Sequence, residues 1–221
     1  MTPSQSLPVD VVSDIVCPWC FIGKKRIEKA MAQTPGTPVA LRFHPYFLND
    51  WIPREGISRE DYLIRKFGSV ERYAQIAERV KAAAAQEGLV YAPEKISRQP
   101  NTTDCHRLIL WADKSGDAAR MKQRLMDLYF TEGGDLTNLE VLAQAAADIG
   151  LDRAEITRLL ASEQDVDVVN QHAQAAKEAG IDGVPCFVFG GAFAVSGAQS
   201  PDYLAGAIER AAEQIAKPAA E

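Results

Sequence analysis

The sequence predicts an α/β fold in which one sheet, begun near the N-terminus and completed near the C-terminus, is interrupted by a large all-helical insertion. Three observations carry this. Two β-branched apolar segments, VDVVSDIV at 9–16 and VALRFHPYF at 39–47, bracket a helix-like stretch at 18–33. From residue 58 to residue 180 the apolar spacing is helical. Two short apolar segments then flank Gly190-Gly191, and a last helical pattern follows. Strands at both ends with helices between them favour one interrupted sheet over two consecutive domains. The chain accordingly divides into 1–57 and 163–221, the two parts of a β-α-β…α-β-β-α unit, and a helical insertion at 58–162.

The near-continuous apolar run at 9–16 suits a strand buried on both faces. Pro18 falls in the first turn of the next helix, where its missing N–H costs nothing. Phe21, Ile22, Ile27, Ala30 and Met31 recur there near helical spacing, and Gly36 and Pro38 break the chain. Val39, Leu41 and Phe43 alternate as a second strand that Pro45 must end or leave at an edge. Ser58 with Asp61 resembles a capping box. Val70, Tyr73, Ala77, Val80 and Ala84 trace one face of a helix that stops at Gly88, and later helices stop at Gly116, Gly150 and Gly180. In EGL, IGL and AGI the glycine precedes an apolar residue, the pattern of a left-handed cap with its hydrophobic contact. No repeat of fixed period occurs among these helices, which excludes a solenoid. PCFVF at 185–189 and AFAVS at 192–196 flank a Gly-Gly hairpin signal. Ser200-Pro201 opens a helix to about residue 216, and KPAAE at 217–221 reads as a frayed tail.

Composition narrows the function. The 221 residues are 47% hydrophobic and 24% charged, with a net charge of −6 and no block of like charge. That balance argues against nucleic acid as a partner, because phosphate binding needs a basic face. No apolar run is long enough for a membrane helix. The N-terminus has neither the basic nor the apolar region of a secretory signal, so a cytoplasmic location is expected. Thiols are kept reduced there, and a CxxC pair is more often catalytic or metal-binding than a permanent staple.

The pair Cys17 and Cys20 therefore attracts attention. A thiol is a nucleophile only as thiolate. Cys17 stands where a strand runs into a helix, and the orphan N–H groups and positive dipole end there favour negative charge. Cys20 lies one turn further on. This arrangement predicts an exposed, attacking Cys17 and a shielded, resolving Cys20, with Pro18 stiffening the ring and Trp19 flanking a substrate chain. A structural zinc site would need four ligands. Cys105 and Cys186 are isolated and the three histidines have no paired spacing, so no metal is expected. Val184-Pro185 stands at a strand entrance, where a proline can be cis in a tight turn. A cis bond would turn the Val184 backbone towards Cys17 and leave it free to hold an extended substrate by strand addition; alternatively, the segment is a loop that ends at a strand.

The segments SDIVCPWCFIGKKRIEKA, FLNDWIPREGISREDYLIRKFG, NTTDCHRLILWA, GVPCFVF and AVSGAQ span nearly the whole chain. In this order they resemble the DsbA-type thioredoxin-fold oxidoreductases, and within them the FrnE-like group. The resemblance implies a thioredoxin-like fold with a helical insertion, a redox-active Cys17/Cys20 pair and a cis Pro185. It implies thiol–disulfide exchange with a thiol- or disulfide-containing protein or small molecule, no tightly bound cofactor, and glutathione as a redox partner. It also implies that the segment holding Asn101 and His106 roofs the active site, which would add both to a substrate-binding set of Pro18, Trp19, Val184 and Pro185. Kappa-class glutathione transferases and hydroxychromene-carboxylate isomerases share this architecture but carry serine at the position of Cys17. The alternative function is theirs, a glutathione-dependent isomerase or transferase on a small aromatic or polyketide-like substrate. Thioredoxin has a buried acid six residues before its first cysteine; here that place is Val11, and Asp14 is the nearest carboxylate.

Simpler roles are expected elsewhere. Asn101 or Thr102 reads equally as a helix N-cap, and His106 as a partly exposed helix residue. Lys24, Lys25 and Arg26 read as a solvated helix face, Trp51 as loop packing, and Cys105 and Cys186 as small buried hydrophobes.

Overall fold

The sheet is organised around β1 (Leu7–Ser13), its most buried strand. In the computed structural model, which describes residues 6–216, β1 pairs parallel with β2 (Val39–Pro45), Val9 opposite Leu41. On its other side it pairs antiparallel with β5 (Cys186–Phe189), Val11 opposite Phe187, and β5 pairs with β6 (Phe193–Ser196). The strand order is β2-β1-β5-β6. Gly190 and Gly191, at φ 57° and 69°, make the tight turn between β5 and β6, a conformation that glycine adopts without the steric cost of a Cβ. The tail at 217–221 and residues 1–5 lie outside the described residues.

Alternation along β1 assigns its two faces. Val9 and Val11 point to α1 (Pro18–Gln33) and α9 (Pro201–Ala216), where they join Ile27, Phe187, Phe189 and Ile208 in one apolar cluster. Val12 points the other way, to Cys186, Tyr46 and Ala176 of α8 (Val166–Glu178). Each fully buried aliphatic side chain here contributes on the order of 2 kcal/mol through removal from water. Cys186 sits in this second cluster and Cys105 is wholly buried in the first helix after the ribbon described below.

The insertion carries β3 (Ile57–Ser58), α2 (Arg59–Phe67), α3 (Val70–Gln86), β4 (Arg98–Gln99), α4 (Thr103–Asp113), α5 (Ala118–Asp127), a π-helical turn (Leu128–Glu132), α6 (Leu139–Asp148) and α7 (Arg153–Leu160). Ser58 Oγ accepts the Asp61 N–H at 3.0 Å and so caps α2. Gly88, Gly150 and Gly180 all have positive φ, and the N–H groups of Leu89, Leu151 and Ile181 reach back to close the helix ends. Two features were not read from the sequence. β3 and β4 form a two-residue antiparallel ribbon, too short to show alternation. The first strand also ends at Ser13 instead of 16, because residues 14–16 turn into α1.

The largest apolar cluster runs without a break from Ile15, Cys17 and Cys20 into Leu108, Leu125, Phe130 and Leu142 of the insertion. The cysteine pair thus lies on the seam between the sheet unit and the insertion.

Candidate active site

Cys17 is the N-cap residue of α1, extended at φ −90° and ψ 112°, with Pro18 in the first helical turn. The Asp14 carbonyl accepts the Cys17 N–H at 3.4 Å, which closes the turn out of β1. The Cys17 carbonyl accepts the Cys20 N–H at 3.0 Å, so the second cysteine follows one turn behind. Both thiols are free.

Their environments push them apart. The Cys17 sulfur accepts a hydrogen bond from the Cys20 thiol, and the N–H groups of Cys20 and Trp19 also favour its negative form. Together these outweigh burial and the Asp14 charge and hold Cys17 below an ordinary thiol. Cys20 is pushed well up by burial and by the neighbouring Cys17. One sulfur is therefore disposed to be a thiolate and the other to keep its proton, which is the division that thiol exchange requires. The expected exposure of Cys17 is corrected: it is 4% exposed and Cys20 1%. Helices α2 and α3 roof the pair, and a groove gives access to Cys17.

The Val184-Pro185 peptide is cis, and the Val184 carbonyl lies 3.7 Å from the Cys17 sulfur. Gly23 on α1 lets this segment approach, since a Cβ there would lie 2.8 Å from Pro185 Cγ. Gly23→Val is expected to cost about 1–3 kcal/mol by overpacking and to slow exchange by displacing Val184. Thermal melting and a turnover assay would check both, and an unchanged melting midpoint would contradict the close fit.

The groove has a volume of about 270 Å³. Cys17, Pro18, Trp19 and Val184 line one side of it, and Arg59, Tyr62, Lys66, Tyr73 and Phe130 the other. Trp19 stands 39% exposed at its edge. The Arg59 guanidinium lies 5.1 and 5.0 Å from the ring centres of Tyr62 and Tyr73. Lys66 bonds the Asn49 side chain; burial pulls its ammonium down, against the charges of Cys17 and Asp14. The groove is apolar and aromatic with two cations on one wall.

Asn101 and His106 do not line this groove. Asn101 spans a loop junction: its amide donates to the Ile52 carbonyl at 2.9 Å and accepts the Thr103 N–H at 3.0 Å. His106 is 4% exposed, not partly exposed, because the first turn of α4 packs behind the cysteines. Its Nε2 faces Asp14 Oδ1 at 3.4 Å. Asp14 is 1% exposed and accepts the N–H groups of Ile15 at 2.7 Å and Leu48 at 2.9 Å. Burial pushes its carboxyl up, but the bonds from His106, Leu48 and Thr102 hold it below the usual carboxylate range. For His106, burial outweighs Asp14 and lowers the imidazole.

The basic stretch after the motif is not a solvated face. Lys24 is 3% exposed, bonded to Glu28 and, at 3.0 Å, to Gln123 of α5. Arg26 reaches Glu87 at 2.7 Å and ties α1 to the end of α3. Trp51 stacks on Tyr62 with Arg65 over its ring, beside the groove and not in it.

Sequence reading missed the groove wall and Lys122 of α5, which is 1% exposed. A signal for Lys122 existed. Ala118, Met121, Lys122 and Leu125 occupy positions i, i+3, i+4 and i+7, so the lysine stands on the buried stripe of its helix.

A family model described as DSBA-like thioredoxin domain matches residues 8–209. A crystal structure of a probable DsbA oxidoreductase from Streptomyces coelicolor is 29% identical, with a TM-score of 0.87 over 97% of this chain and 93% of that one. The cytosolic disulfide reductase DsbM from Pseudomonas aeruginosa, solved with GSH, is 17% identical, with a TM-score of 0.65 over 92% and 98%. A 2-hydroxychromene-2-carboxylate isomerase is 18% identical, with a TM-score of 0.71 over 95% and 98%.

Proposed function

Since the chain belongs to the family of DSBA-like thioredoxin domains, we propose that it is a thiol–disulfide oxidoreductase in which Cys17 is the nucleophile and Cys20 the resolving thiol. The observation that carries this is the split between two neighbouring sulfurs, one lowered and one raised, with the lowered one in the groove. In the reducing direction the Cys17 thiolate attacks a substrate disulfide. One substrate sulfur leaves as thiolate and the other stays bound to Cys17. Cys20 then gives up its proton and attacks the Cys17 sulfur, which closes the Cys17–Cys20 disulfide and releases the second substrate thiol. Two electrons pass from the pair to the substrate, and the reverse sequence oxidises a dithiol. Val184 beside Cys17, with Pro185, holds the substrate backbone, and Pro18 and Trp19 flank it.

The substrates in this reading are thiol- or disulfide-containing proteins or small molecules, with glutathione as a redox partner and no tightly bound cofactor. A cytoplasmic location and membership of the FrnE-like group belong to the same proposal; DsbM from Pseudomonas is itself cytosolic. The uncharged Trp19 between the cysteines favours a pair less oxidising than DsbA, whose potential is about −120 mV.

A Cys20→Ser variant incubated with a disulfide-bonded model protein or oxidised glutathione is expected to accumulate mixed disulfides on Cys17, seen by mass spectrometry. Absence of any adduct on Cys17 would overturn the reading. The partly enclosed aromatic groove favours one second reading, a glutathione-dependent isomerase or transferase on a small aromatic substrate. Glutathione binding that survives alkylation of Cys17 would favour it.

A further inference from the structure

The groove beside Cys17 holds two cations that the exchange chemistry does not require. Arg59 and Lys66 line it, and no aspartate or glutamate is among its described lining residues. Neither cation has an ion-pair partner among the described residues, whereas Arg42, Arg54 and Arg107 each grip a carboxylate. The half-buried Arg59 is held by neutral groups: Nη1 donates to the Gln99 amide oxygen at 2.5 Å and Nη2 to the Tyr73 hydroxyl at 2.8 Å. Its Nε–H is buried and has no hydrogen-bond partner among the described residues. Lys66 bonds the neutral side chain of Asn49. Charge withdrawn from water without a counter-charge is costly, and an apolar side chain in either place would remove that cost. The Cys17 thiolate answers one of the two charges at most, and the Cys20 thiol already bonds it. The protein as a whole carries −6, so the pair of cations is a local feature of this groove.

We propose that Arg59 and Lys66 make the groove selective for small disulfides and thiols that carry a carboxylate a few bonds from the reacting sulfur. The proposal rests on the exchange reaction above and adds the class of molecule exchanged. A carboxylate that enters with the sulfur supplies the counter-charge that Arg59 and Lys66 lack. Cys17 and Val184 line the facing wall, so the sulfur end and the charged end of such a molecule are sorted to opposite sides. A cationic disulfide meets like charge there, and a neutral one leaves both cations unpaired. The size suits a compact molecule. At about 270 Å³ the groove lies at the lower end for ligand pockets, about 300–1,000 Å³, and the rings of Tyr62, Tyr73, Tyr91 and Phe130 wall it.

The test compares anionic dithiodipropionate with neutral hydroxyethyl disulfide and cationic cystamine. Each turnover is divided by that disulfide's rate with a free dithiol, because the leaving thiolates differ in intrinsic reactivity. The wild-type protein should prefer the three in that order. Lys66→Met should lower kcat/KM for dithiodipropionate relative to hydroxyethyl disulfide by about tenfold or more. Arg59→Met should do the same, and Arg59→Lys should restore part of the preference. Lys66 carries the test if losing the Gln99 and Tyr73 bonds unfolds the Arg59 variants.

A second readout is independent of turnover: the rate of Cys17 alkylation by iodoacetate divided by the rate with iodoacetamide, a ratio in which the thiolate fraction cancels. It should fall by about as much in Lys66→Met. Wild-type values of both ratios in the Lys66 and Arg59 variants would overturn the proposal. A shifted Cys17 titration midpoint with an unchanged alkylation ratio would also end it, since the cations would then serve the thiolate alone. An acidic disulfide-bonded peptide preferred over dithiodipropionate would refute the assignment to a small molecule. If the wild-type protein exchanges none of these disulfides, the oxidoreductase reading fails instead, and the alkylation ratio still decides for or against Arg59 and Lys66.

Discussion

Replacing Cys17 by serine is expected to reduce disulfide exchange to the uncatalysed background, a loss on the order of 10³-fold or more. A serine hydroxyl neither ionises in the range that lowers Cys17 nor forms a bond to sulfur that Cys20 could displace. The residue is small and buried at the N-cap of α1, where it makes no side-chain cap bond, so the fold should survive the change. The same thiol predicts a pH profile. Because hydrogen bonding by Cys20 holds Cys17 below the ordinary thiol value of 9.0, its alkylation rate should reach its plateau below that pH. Cys20, raised by burial, should remain unmodified over the same range. Iodoacetamide kinetics with peptide mapping would check this, and a Cys17→Ser protein with full reductase or refolding activity would end the exchange mechanism.

The largest loss of stability is expected at Arg107. This side chain is wholly buried in α4. Its Nε donates to the Gln164 carbonyl and its Nη2 to the Leu159 and Ser162 carbonyls, all at 2.7 Å. Its Nη1 donates to Asp104 at 2.6 Å, and the guanidinium lies 4.8 Å from the Trp111 ring centre. The three carbonyls belong to the last turn of α7 and the segment that joins it to α8, where the chain leaves the insertion and returns to the sheet. Arg107→Leu strands the Gln164 and Ser162 carbonyls, leaves the Leu159 carbonyl to Ser162 alone, and leaves Asp104 with Arg54 as its ion-pair partner among the described residues. Such a loss costs about 3–5 kcal/mol and should lower the melting temperature by roughly 6–20 °C. Lysine should not restore it, because one ammonium cannot reproduce the planar fork. A change within about 0.5 kcal/mol in thermal or urea unfolding would show that the α7–α8 segment does not depend on this anchor.

Much of the fold was legible because its signals are local. The alternation of Val39, Leu41 and Phe43, the glycine stops at Gly88, Gly150 and Gly180, and the Gly190-Gly191 turn each depend on a few neighbouring residues. The cysteine pair was legible for the same reason, since Pro18 and the strand-to-helix junction set its local geometry. What failed to show was whatever depends on elements distant in sequence. Lys24 read as solvated because nothing nearby announces that Gln123 covers it. His106 read as half exposed because its partner Asp14 is 92 residues away.

The sequence by itself determined the chain order of the four strands of the main sheet and of the helices around them, the position of Cys17 at a helix start and of Cys20 one turn behind it. Backbone propensity, capping and apolar periodicity act over a turn or a hairpin, and a reader of the chain has all of that in view. Only the tertiary structure decided how the pair is served. Packing α2 and α3 over Cys17 placed a thiol expected to be exposed in a groove, and packing α4 behind it brought His106 within 3.4 Å of Asp14. Burial sets which of these groups hold charge, and burial is a property of the assembled core, not of any one segment.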